Sequence, residues 1–352
     1  MRDDKTGETR LREWYSGKME IDQVSKQKYL GFVISNQGNN LANIQEVKNK
    51  SIGIIKKILE KLNNLNLKKY YFECGLIFMN VVLRGTILYA AETYYNLTEK
   101  ELRILERIEE SYMRKLFKTT AGCPVVQLYL ELSQIPARFA IMKARLLFLK
   151  SILHENAGSR IAQFVKLQFE ERKKGDWILT CIKDLKVLGF TGSLEEIKAM
   201  KKNQYKTTIN KKIREIAFKY LLEKQRSKGK NIIYEEFCMA DYLLPNDNLN
   251  NIEDQRYLFS IRNRMINIPS NFGKEAKCIC GEIENMLHIY NCRKLNKGEN
   301  LINFEKIYNG KLTEQVTILK KFRNNMEVRE KFIHVIASRS TNHCKVFSNG
   351  NT

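Results

Sequence analysis

Four side chains with soft-metal chemistry fall within fifteen residues of a 352-residue chain: Cys278-Ile-Cys280-Gly-Glu-Ile-Glu-Asn-Met-Leu-His288-Ile-Tyr-Asn-Cys292. The chain has only eight cysteines and four histidines, so their coincidence carries information. Cys278 and Cys280 flank a turn completed by Gly281. His288 and Cys292, four residues apart, share one face of a short helix predicted to begin near Glu284. Such a set closes a tetrahedral Cys₃His site of the structural kind, with thiolates at about 2.3 Å and imidazole at about 2.0–2.1 Å from Zn2+. No ligand position is left open for water, which argues against hydrolytic chemistry. The first pair is spaced C-x-C rather than the commoner C-x-x-C, so chelation by both thiols is tighter. The competing account is a pair of buried cysteines beside a surface histidine. His154, His334 and His343 have no comparable partners nearby and read as ordinary core or surface residues.

Other catalytic constellations are missing. The sequence holds no G-x-x-x-x-G-K-[ST], no G-x-S-x-G and no H-E-x-x-H, which removes the P-loop, α/β-hydrolase and zincin readings. Asp3-Asp4 is the only adjacent Asp pair, and no apolar strand precedes it to deliver a metal site. Glu109-Glu110 reads as charged helix surface. The expectation is a chain that is not an enzyme on its own.

Charge points to a polyanionic partner. Sixty-one Lys+Arg against 39 Asp+Glu leave a formal net charge of +22. The segment from Lys198 to Lys230 holds twelve cations against Glu215 and Glu223, while Ile209, Ile213, Ile216 and Tyr220 form a narrow apolar stripe at helical spacing. The cations, Lys206, Lys211, Lys212, Arg214 and Lys219 among them, then occupy the outer face of a helix. That face is either simply solvated or tracks phosphates; an excess of one sign favours the second use.

The elements that must position these groups are mostly helices. Four prolines and 18 glycines are too few for a turn-rich all-β fold, and 43% hydrophobic residues suffice for a core. Strand signals are confined to residues 1–38, where Arg12–Tyr15, Met19–Asp22 and Lys28–Ser35 predict a small antiparallel meander. Helical periodicity starts at Leu41. A strongly apolar helix is expected over Leu67–Glu92, and Thr98-Glu-Lys-Glu101 is a capping box opening the next. Further helices are expected over Val125–Leu132 and Pro136–His154, then to about residue 226, and over Lys311–Ala337. No apolar run of 18 residues occurs and the first residues lack the apolar core of a signal peptide, so neither a membrane span nor secretion is expected. Scattered cysteines argue against a disulfide framework and for an intracellular, nuclear or cytoplasmic, location.

Four stretches in order, Lys28-Tyr-Leu-Gly-Phe-Val-Ile-Ser35, Ile87-Leu-Tyr-Ala-Ala-Glu-Thr-Tyr94, Leu128-Tyr-Leu-Glu-Leu132 with Ile135-Pro-Ala-Arg-Phe139, and the Cys278–Cys292 cluster preceded by Leu258-Phe-Ser-Ile-Arg262, make roughly residues 10–295 resemble the C-terminal part of non-LTR (LINE-type) retrotransposon reverse transcriptases. In that family a K-Y-L-G strand closes the polymerase palm, the following helices form a thumb and linker, and a CCHC zinc knuckle lies near the terminus. The resemblance implies a palm-end meander (1–38), a thumb-like helical domain (39–156), a basic helical linker (157–250), a zinc-knuckle region (251–300) and a helical tail (301–352). The family's F/Y-x-D-D strand and upstream Asp are absent, and Ala90 and Tyr94 stand where Gly and Trp are usual. Mg2+ and DNA synthesis are therefore expected only if a palm is supplied by a missing upstream segment.

On this resemblance Lys48, Lys56, Lys57 and Lys61 of the thumb-like helices meet the backbone of RNA or DNA. The basic helix, and Lys274, Lys277, Arg293 and Lys294 around the knuckle, hold RNA or target DNA. Tyr290 either stacks on an unpaired base or covers the knuckle core. The rival expectation is a helical interaction or scaffold protein in which zinc only staples the fold.

Overall fold

The computed structural model describes residues 14–16, 19–21, 24–35, 40–119, 123–154, 158–171, 176–227, 237–249, 251–266, 268, 275–295 and 303–346. The chain is mainly helical, with short antiparallel strands at its start. Its contacts divide it into two units assembled from alternating segments: 1–56, 81–109 and 137–213 form the first, and 57–80, 110–136 and 214–352 the second.

In the first unit the strands β1 (Trp14–Ser16), β2 (Met19–Ile21), β3 (Lys26–Tyr29) and β4 (Phe32–Ser35) form two separate hairpins rather than one meander. The run Lys28–Ser35, read as one strand, turns back on itself at Leu30 and Gly31. Both have positive φ (46° and 86°), the backbone of a two-residue primed turn whose twist matches its strands. The β3–β4 hairpin is tied to α1 (Leu41–Asn64) by Asn43, whose Oδ1 accepts the Val33 N–H at 3.0 Å while its Nδ2 donates to the Tyr94 hydroxyl at 2.7 Å. Helix α2 (Tyr71–Phe78) continues through a π turn, Met79–Leu83, into α3 (Arg84–Ile87), a helical stretch close to that expected over Leu67–Glu92.

Helix α4 (Glu99–Leu116) starts from the expected capping box. Glu101 N–H donates to Thr98 Oγ1 at 3.2 Å, and Glu101 Oε2 accepts the Thr98 N–H at 2.8 Å. Helix α5 (Val125–Glu131) follows, then the long α6 (Ala137–His154), α7 (Arg160–Glu171), α8 (Trp177–Val187), α9 (Leu194–Ala199) and α10 (Lys202–Arg226). Within the first unit α6 is pinned to α8 by a buried ion pair, Arg145–Asp184 at 2.7 Å. It is also pinned to α9 by Lys150, whose ammonium donates to the Ile197 carbonyl at 2.7 Å near that helix's C-terminus. The buried stripe of α10 is Tyr205, Ile209, Ile213, Ala217 and Leu221, a strict i+4 row. Ile216 and Tyr220, expected on it, are only half-buried.

In the second unit Phe72, Phe117 and Phe259 stack in sequence with ring centroids 4.7 and 4.2 Å apart. Gly75 lets α2 approach α4 there, since a Cβ would lie 2.7 Å from Leu116 Cδ1. Helices α11 (Ile252–Arg262), α12 (Met286–Asn291), α13 (Lys306–Asn309) and α14 (Leu312–Val346) complete the unit. Ile318, Leu319, Phe322 and Met326 of α14 are buried. Among the described residues no helix is long and apolar enough to cross a membrane.

Candidate metal centre

The metal-ligand cluster lies in the second unit, on a tight antiparallel turn followed by a six-residue helix. Lys277 and Ile283 bridge, Cys278 N–H donates to the Glu282 carbonyl at 2.8 Å, and Gly281 N–H donates to the Cys278 carbonyl at 2.8 Å. Gly281 sits at φ +97°, which an L side chain rarely adopts, so the glycine of this C-x-C-G sequence is a geometric requirement. Helix α12 begins at Met286, two residues later than expected, because Asn285 is its N-cap and accepts the His288 N–H at 2.8 Å. Cys292 leaves the helix as its C-cap.

The turn and the helix bring Cys278, Cys280, His288 and Cys292 together, with all four ligand atoms within 4.8 Å of one another. Cys278 Sγ is 3.7 Å from Cys292 Sγ, and Cys280 Sγ is 3.2 Å from His288 Nε2. A tetrahedral site with metal–sulfur bonds of about 2.3 Å has sulfur–sulfur edges of about 3.8 Å, so the donor set fits a four-coordinate soft-ligand site. Cys278 and Cys292 are buried and Cys280 and His288 partly so. Burial pushes the Cys278 thiol up to about 11, whereas the Glu282 backbone N–H lowers that of Cys280. Coordination requires thiolates, so a metal entering here displaces protons. The seven described cysteines are all free of disulfides.

Around the ligands stand residues that the sequence reading missed. Glu282 Oε2 lies 3.0 Å from His288 Nδ1. Glu284, three per cent exposed, is held by the Arg329 guanidinium of α14 through both Nε and Nη2. Asn325, also on α14, donates to the Ile289 carbonyl at 2.9 Å. Arg329 follows Glu284 by 45 positions, and no local pattern announces a pairing across that distance.

Tyr290 is fully buried with its ring 5.1 Å from Phe304 and Lys321 over its face. That environment suits a role covering the knuckle core. Lys277, Arg293 and Lys294 are exposed beside the ligands, Lys294 donating to the Ile279 carbonyl at 3.2 Å. Lys274 lies outside the described residues, as do Asp3, Asp4 and the side chains of His334 and His343.

Lys48, Lys56, Lys57 and Lys61 are exposed on α1, and Lys206, Lys211 and Lys219 on α10. Two cations of α10 are engaged internally. Lys212 donates to the Leu188 carbonyl at 2.7 Å over the Phe190 ring, and Arg214 donates to Ser133 Oγ at 3.1 Å over the Phe237 ring. Each keeps further N–H donors beyond these contacts, and Arg214 remains exposed. No protein-family model, curated protein or solved structure matches this chain.

Proposed function

We propose that this protein binds nucleic acid as the C-terminal portion of a non-LTR reverse transcriptase, gripping RNA or DNA backbones without making bonds itself, around a structural zinc ion. Cys278, Cys280, His288 and Cys292 hold the ion, which when bound cross-links the turn to α12. The observation that carries the reading is the closed soft-ligand cluster with Lys277, Arg293 and Lys294 exposed on the same segment. Lys48, Lys57, Lys61, Lys206, Lys211 and Lys219 are further exposed cations that can meet phosphates. Contacts of that kind tolerate sequence and are salt-sensitive; neutralising six to ten phosphates weakens binding by roughly 10³–10⁵-fold between 50 and 200 mM salt.

A second reading, a helical scaffold in which the metal only staples the fold, is favoured by the burial of Tyr290 and the half-buried contact of Lys212 with the Leu188 carbonyl. Titrating labelled RNA and DNA with zinc-loaded protein separates the two. Binding at about 50 mM salt that falls steeply with added salt supports the first; no binding there leaves the scaffold.

A further inference from the structure

We propose that Glu282 is the positioning residue of the metal centre, its carboxylate selecting the His288 tautomer that leaves Nε2 free to coordinate. This rests on reading the four ligands as a metal site. An imidazole offers one nitrogen to a metal only if the other carries the proton, and the acceptor of that proton decides which nitrogen is offered. Here Nε2 faces Cys280 Sγ at 3.2 Å, while Nδ1 lies 3.0 Å from Glu282 Oε2. The carboxylate therefore takes the Nδ1–H and turns the ring toward the thiolates.

The same residue holds a second ligand through its main chain. Its carbonyl accepts the Cys278 N–H at 2.8 Å. Two of the four ligands, His288 and Cys278, are thus engaged by two different groups of one residue. Gly281 makes this possible, because its positive φ brings residue 282 back across the turn. The Glu282 side chain is 75% exposed, so truncating it opens no cavity and leaves the main-chain contact to Cys278 in place.

The test compares the full-length wild type with Glu282→Ala and Glu282→Gln, measuring Zn2+ affinity by competition with a chromogenic chelator and the His288 tautomer by ¹⁵N NMR. The expected result is a 10–100-fold weaker affinity for Glu282→Ala. A smaller loss is expected for Glu282→Gln, whose amide oxygen still accepts. In the metal-free Ala variant His288 shifts from the Nδ1–H toward the Nε2–H form. Wild-type affinity in both variants, or weakened affinity with an unchanged tautomer, overturns the role. If the Ala variant does not fold, the Gln variant decides by the same two readouts. A wild type that takes up no zinc removes the centre itself, a failure distinguishable from that of Glu282 alone.

Discussion

Arg145 places its guanidinium 2.7 Å from Asp184 and also donates to the Tyr94 carbonyl, with both residues buried. Removing one member of a buried pair strands the other, so Arg145→Met should cost about 3–5 kcal/mol. The double replacement Arg145→Met/Asp184→Leu should recover most of that loss, which urea midpoints of the single and double variants would show; a double variant as unstable as the single would refute the pair account. At the metal centre, Cys292→Ser should abolish stoichiometric Zn2+ uptake, read by elemental analysis of the purified protein. The four-residue Cys/His cluster could be read from sequence because its members lie within fifteen residues, a spacing that chelation constrains. Arg145–Asp184 and Glu284–Arg329 could not, because pairs 39 and 45 positions apart are set by tertiary packing.

Among the elements, the β3–β4 hairpin is too small to be stable alone and depends on its attachments. One is Lys28, whose ammonium lies 3.1 Å from Glu46 on α1 and holds that carboxyl below its ordinary value of 4.5. A carboxylate with a depressed folded value stabilises fully above its unfolded value and loses that contribution as pH falls through the folded one. Amide protection factors over residues 26–35 should therefore fall on acidification below about pH 4, while those of α6 hold; equal loss in both would show that the attachment is unimportant. The hairpin itself escaped the sequence reading. Leu30-Gly31 interrupts an apolar β-prone run without the Asn-Gly signal, and a leucine at φ 46° is rarely anticipated because the left-handed region costs roughly 1–2 kcal/mol. The α4 cap was readable because its hydrogen bonds are local. The row of α10 was placed partly wrong because Ile216 and Tyr220 are apolar yet sit beside, not on, the face that packs. Helix α14 contributes Asn325 and Arg329 to the metal loop, so chelating the metal should raise amide exchange in α14 over residues 312–333 more than in α6. Equal exchange with and without the chelator would uncouple α14 from the site.

For the whole molecule, the proposed binding of polyanions starts from a net charge of +22, and the central question is whether named cations take part in it. Composition made the helical class and the basic character plain. Which side chains the cations touch was decided by packing, which leaves Lys212 half-buried against the Leu188 carbonyl and Arg214, Lys277, Arg293 and Lys294 exposed. The most direct measurement is the slope of log Kobs against log salt for a labelled single-stranded RNA, in zinc-loaded wild type and in the variant Lys277→Ala/Arg293→Ala/Lys294→Ala. At about 0.7 per phosphate contact on a single strand, the account predicts binding at about 50 mM salt and a variant slope shallower by roughly 2. No binding by the wild type at that salt, or identical slopes for the two proteins, would contradict it.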